Sequence, residues 1–173
     1  MLGDRILYGV DVIPADDVRA RQAHRVQSPY ASALATRLSA AAGSAGMVSK
    51  SHSRAMVAAA CAVPPVTALG IDIEWMAPDR PFDAILANFL PSFATPVACN
   101  GFYRAWTFLE AHFKAYQCWP REKELRQVLA GPARDDSWQT VEGNYLLQHQ
   151  VGGDFQLTVL WRSDQPCGIK YVR

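Results

Sequence analysis

The sequence predicts an α+β fold. Two runs rich in β-branched and aromatic residues, near 6–13 and 66–75, read as strands. Stretches with helical apolar spacing follow them, and after Trp138 the pattern changes to short strands around turns.

Taken in order, Ile6 to Ile13 is expected as a strand that ends at Pro14. A helix is expected over the polar run after Asp16 and Asp17, which carries Arg19, Arg21 and Arg25. Ser28 with Pro29 then opens a second helix to about Ala41, where Tyr30, Leu34 and Leu38 share one buried face. Gly43 to Gly46 is a loop. Met56 to Val63 divides the signals, because alanine favours helix while the short apolar length and the Pro64-Pro65 stop suit a buried strand; a strand is expected. Val66 to Trp75 is a strand whose alternation turns Ile71 and Ile73 to the core and sets Asp72 and Glu74 together on the other face. Pro81 to Leu90 spaces Phe82, Ile85, Leu86 and Phe89 as a helix. Asn100 is expected to cap a long helix to about Cys118, with Phe102, Trp106, Leu109 and Phe113 on its apolar stripe and Glu110 and Lys114 one turn apart. Gln148 to Trp161 reads as a hairpin with Gly152-Gly153 at its tip. There is no short-period repeat and no low-complexity segment.

Composition narrows the function classes. A chain of 173 residues, 50% hydrophobic and 19% charged, suits one domain or two small halves sharing an interface. The net charge of +1 gives no basic excess for nucleic acid, and Arg121, Lys123 and Arg126 read as a solvated helix face. Cys61, Cys99, Cys118 and Cys167 form no C-x-x-C pair and read as buried reduced thiols, which disfavours zinc. His24, His112 and His149 receive no role. The first residues lack the order of a signal peptide, and the longest apolar stretch, Ala55 to Ile71, is broken by Pro64-Pro65. A cytoplasmic protein without a membrane span is expected.

Three stretches carry the chemistry: Ser51-His52-Ser53, GIDIE at Gly70 to Glu74, and WTFLEAHFKA at Trp106 to Ala115. In this order they resemble the type II 4′-phosphopantetheinyl transferases of the surfactin-synthetase-activating type. That family carries a Ser-His-Ser-like stretch, then G-[IV]-D-x-E, then a helix reading W-[ST]-x-K-E-A-x-x-K. The resemblance implies two pseudo-symmetric α/β halves with a coenzyme A cleft between them. The junction is expected near Leu69, giving residues 1–68 and 69–173. It also implies an Mg²⁺-dependent enzyme of the holo-[acyl-carrier-protein] synthase type, a monomer acting on an apo acyl or peptidyl carrier protein. Asp72, Glu74 and Glu110 would hold the metal, and three carboxylates are the donor set a hard cation takes when it shares its shell with phosphates and water. Without that cation their mutual repulsion should raise the pKa of at least one of them. Glu110 and Lys114 would be catalytic. His52, Lys114, Ser51 and Ser53 would contact the coenzyme A phosphates, and Arg25 stands where members carry a basic residue near the nucleotide. The carrier serine would attack the β-phosphorus and release adenosine 3′,5′-bisphosphate, its proton passing to Glu110 or to a water on the metal. Lys114 could instead form an ordinary i, i+4 pair with Glu110.

The sequence departs from the pattern in four places. Leu109 replaces the usual lysine, the spacing from Asp72 to Glu110 is short, QCWPREKE stands where a glycine-rich stretch often follows, and the N-terminal half is brief. A non-catalytic protein of the same fold that binds coenzyme A or a carrier protein is the alternative.

Overall fold

The computed structural model describes residues 4–17, 24–43, 46–91, 96–131, 138–165 and 167–173. Among these, β1 (Asp4–Val12) leads to α1 (His24–Ala42), and then to β2 (Met47–Ser53), β3 (Met56–Ala62) and β4 (Val66–Trp75). Next come α2 (Phe82–Leu86), α3 (Cys99–Tyr116) and α4 (Glu122–Ala130). The chain finishes with β5 (Trp138–Val141), β6 (Asn144–Val151), β7 (Phe155–Ser163) and β8 (Gly168–Tyr171).

The strands form two four-stranded sheets, ordered β2-β3-β1-β8 and β4-β7-β6-β5. Neighbours pair antiparallel except β1 and β8, which run parallel. Both sheets grow from one plan: a strand, a helical excursion, then a hairpin whose second strand returns to pair with the first. The first sheet does this as β1–α1–β2–β3 and the second as β4–α3–β6–β7, with α4 and β5 inserted before the hairpin. The expected junction at Leu69 falls inside β4, and β8 leaves the second sheet to join the edge of the first.

Each layer is explained by its apolar face. Ile6 and Tyr8 of the first sheet meet Ile71, Ile73, Leu157, Val159 and Trp161 of the second in a shared core. The outer face of the first sheet, Val57, Ala59 and Cys61, takes Ala31, Leu34, Ala35 and Leu38 of α1. The outer face of the second, Leu146 and Leu160, takes Phe102, Phe108 and Leu109 of α3. The result is four layers, helix, sheet, sheet, helix.

Several expectations are adjusted. The helix expected to open at Ser28 begins at His24 and carries Pro29 inside it, where proline forfeits one ladder bond. The arginine-run helix lies mainly on residues 18–23, outside the described residues. Asn100 is inside α3, whose N-cap is Ala98. The helical span expected over 81–90 closes to α2 and a turn. β2 was not anticipated, although Ser49, Ser51 and Ser53 alternate through it. Of the cysteines, all free, Cys61 alone is buried and Cys118 is exposed. No helix among the described residues is long and apolar enough to cross a membrane.

Candidate functional site

Gly70 fixes the distance between β4 and α3. A Cβ there would lie 1.9 Å from the Ala111 carbonyl oxygen, so only glycine lets the helix backbone come this close to the strand. The consequence is chemical. Residues flanking Ala111 on the helix, Glu110 and Lys114, are brought over the β4 face that carries Asp72 and Glu74, as alternation predicts.

A cavity of about 380 Å³ opens there. β2 contributes Lys50, Ser51 and His52 to its wall, β4 contributes Asp72 and Glu74, and α3 contributes Glu110 and Lys114; Ser28 and Ala31 of α1 close one side. Six of the sequence-selected residues therefore share one cleft between the two halves. Arg25 lies in the first turn of α1, and its side chain is outside the described residues.

Asp72 is the best-defined group. Its side chain is 5% exposed, with Oδ1 accepting from Ser51 Oγ at 2.7 Å and from Lys114 Nζ at 2.8 Å. Oδ2 is buried and has no hydrogen-bond partner among the described residues. An ionised carboxylate with one oxygen unpartnered in a low-dielectric wall is costly, and a cation at that oxygen would remove the cost. Lys114 reaches across to β4, where it also donates to the Ile71 carbonyl at 3.1 Å, instead of pairing with Glu110 along its own helix. The Glu110 side chain carries no hydrogen bond or ion pair among the described residues.

Glu74 Oε2 accepts from Ser53 Oγ at 3.0 Å and has the Arg80 guanidinium at 4.0 Å. Its carboxyl is held above the ordinary range, first by burial and then by the charge of Asp72, against the opposing pull of Ser53 and Arg80. Glu110 is raised too, by burial and by Asp72, with Lys114 opposing. Repulsion among the three carboxylates is thus already visible in two of them. Among the described residues no three His, Cys, Asp or Glu side chains converge as a ready metal cage. The donor chemistry still suits a hard cation: three carboxylates with a buried free oxygen, and no thiol in the cleft.

Ser51 and Ser53 are placed differently from the phosphate-donor role that the resemblance implies. Each hydroxyl gives its one proton to a carboxylate of β4. Sequence reasoning also passed over Ser49, Lys50 and Arg80. Strand alternation could have found Ser49, since it shares the face of Ser51 and Ser53. Leu109, the position of the missing lysine, is fully buried in the α3 core. Set against protein-family models and against curated proteins, the chain matches none.

Proposed function

We propose that this chain is a 4′-phosphopantetheinyl transferase that uses Mg²⁺ to move the phosphopantetheine arm of coenzyme A onto a serine of an apo carrier protein. The observation that carries this reading is the unpartnered Asp72 Oδ2 in a cleft that also holds Glu74, Glu110, Lys114 and His52. A wall with three carboxylates and two ammonium groups, Lys50 and Lys114, is suited to a cation together with a polyanion, and the motif order of the sequence supplies the same pairing. A cleft lined from β2 on one side and from β4 and α3 on the other supports the reading.

Asp72, Glu74 and Glu110 would hold Mg²⁺, which when bound offsets the charge of the pyrophosphate and of the leaving phosphate. The side chains do the rest. Lys114 and His52 orient the phosphates by charge and hydrogen bonding. Glu110 would take the carrier serine's proton. The serine oxygen bonds to the β-phosphorus, the bond to the bridging oxygen breaks, and adenosine 3′,5′-bisphosphate leaves with that electron pair. The reading also expects a monomer working in the cytoplasm.

The test is to incubate the protein with coenzyme A, Mg²⁺ and a panel of apo acyl and peptidyl carrier proteins and to weigh the carriers. Addition of the arm, abolished by chelator, is the expected result. Calorimetric binding of coenzyme A or of a carrier protein without transfer would instead establish the non-catalytic alternative, and neither binding nor transfer would overturn both.

A further inference from the structure

β2 and β4 are edge strands of different sheets, and each presents a row of backbone groups with no strand beside it. Serine hydroxyls fill the gap. Ser49 Oγ accepts from the Ile71 amide at 3.0 Å, Ser51 Oγ from the Ile73 amide at 3.3 Å, and Ser53 Oγ from the Trp75 amide at 3.0 Å. The incoming amide takes one of the oxygen's two lone pairs and leaves the hydroxyl proton free to be donated elsewhere. At Ser51 it points to Asp72 and at Ser53 to Glu74. At Ser49 the corresponding residue of β4 is Gly70, which offers no side-chain acceptor.

We infer that Ser51 and Ser53 are positioning residues, each locking one carboxylate oxygen of β4 so that the other is presented to the cleft, whereas Ser49 is a purely structural rung of the same ladder. Positioning follows from the two hydrogen bonds of each hydroxyl: the strand amide fixes the oxygen, and the fixed oxygen fixes which carboxylate atom is held. Asp72 shows the outcome, with Oδ1 held and Oδ2 left unpartnered. The inference concerns the carboxylates themselves, and only its consequence for cation binding rests on the proposed function. Ser49 supplies an internal control, since it has the same strand, the same spacing and the same bond to β4, without a carboxylate in front of it.

The experiment compares full-length Ser49→Ala, Ser51→Ala, Ser53→Ala and Ser53→Thr with the parent. In the metal-free protein, amide exchange at Ile71, Ile73 and Trp75 and the carboxyl carbon resonances of Asp72 and Glu74 are followed by NMR. Mn²⁺ affinity is measured by EPR on the protein alone. Each alanine variant should speed exchange at its own amide. Only Ser51→Ala should move the Asp72 carboxyl signal, and only Ser53→Ala that of Glu74. Mn²⁺ binding should weaken about tenfold in both, as for other loss of carboxylate support, and stay within about twofold of the parent in Ser49→Ala. Ser53→Thr, which keeps the hydroxyl, should restore it.

Equal weakening in Ser49→Ala, or carboxyl signals unmoved by loss of their own serine, would overturn the inference while leaving the transferase reading in place. A parent that binds no Mn²⁺ although each carboxyl signal follows its own serine would do the reverse. Should Ser51→Ala fail to fold, the contrast of Ser53→Ala with Ser53→Thr decides.

Discussion

The first strand of each half carries the same four-residue pattern, Gly9-Val10-Asp11-Val12 in β1 and Gly70-Ile71-Asp72-Ile73 in β4. Each glycine faces its helix: a Cβ at Gly9 would meet Leu34 Cδ1 at 3.4 Å, and one at Gly70 the Ala111 carbonyl at 1.9 Å. Three residues further along each helix, Arg37 and Lys114 bond to the aspartate two positions past the glycine, at 3.0 and 2.8 Å. The environments then diverge. Arg37 and Asp11 are 61% and 48% exposed, while Lys114 and Asp72 are 29% and 5% exposed. An exposed pair is worth about 0–1 kcal/mol, whereas a buried one governs the charge balance of its surroundings. The edges differ as well. β8 covers the edge of β1 through backbone pairing, but β2 covers the edge of β4 through hydroxyls, which bring protons within reach of the carboxylates. The same strand-and-helix device is therefore a surface pair in one half and the heart of a cleft in the other, and cover makes the difference.

The sharpest way to break this comparison is to remove the acid from both places. Asp72→Asn should lower carrier modification by at least about a hundredfold, equivalent to about 2.7 kcal/mol of barrier. Asp11→Asn should leave it within about twofold, because its pair is solvated. Rates are read from the mass of the modified carrier. Equal losses would place function in both halves and sink the contrast.

The glycines give the next largest effect, on stability. Gly70→Ala drives a Cβ into helix backbone that cannot rotate away, so unfolding in urea should show a loss of about 3 kcal/mol, the upper end for overpacking. At Gly9 the nearest atom is the Val172 carbonyl at 2.8 Å, followed by the flexible Leu34 side chain. About 1 kcal/mol is expected there. A larger loss at Gly9 would mean that the first half is the more tightly packed of the two.

How much of this was legible beforehand differs by kind of signal. β4 was read to the residue, since its β-branched run and the alternation of Ile71 and Ile73 with Asp72 and Glu74 mark a strand. The long helix was read within two residues at its C-terminal end, because its aromatic stripe is strongly periodic. β2 was missed because serine is a weak strand former and its hydroxyls satisfy another sheet's amides, a tertiary use that no local pattern announces. The destination of Lys114 was missed for a related reason. Helical spacing offers Glu110 as partner, but the close approach set by Gly70 offers a buried carboxylate instead. Leu109 departs from the family pattern and is explained by packing, since it sits wholly within the α3 core. The pattern shared by Gly9–Val12 and Gly70–Ile73 was in the sequence throughout, yet only the matching topologies give it meaning.

The smallest expected effect separates the halves by pH. Glu74 and Glu110 both have pKa values raised by burial and by the charge of Asp72. A carboxylate whose pKa is higher in the folded than in the unfolded chain contributes stability that is complete below the unfolded value and is lost as pH rises through the folded one. The metal-free protein should therefore melt a few degrees lower as pH climbs from the ordinary glutamate value, about 4.3, through the raised values of the cleft. Glu142 acts in the opposite sense, since Lys123 lowers its pKa, so the stability it lends is lost as pH falls. Its window lies below the first, and the two slopes are separable. Glu74→Gln and Glu110→Gln should each flatten the upper slope, whereas Asp11→Asn should leave it unchanged. Mg²⁺ should raise the melting temperature most at the alkaline end, where both glutamates are ionised and their repulsion is greatest. Thermal melts across pH, with and without Mg²⁺, read all of this. A slope that survives both glutamine variants would assign it to groups outside the cleft and remove the electrostatic distinction between the two halves.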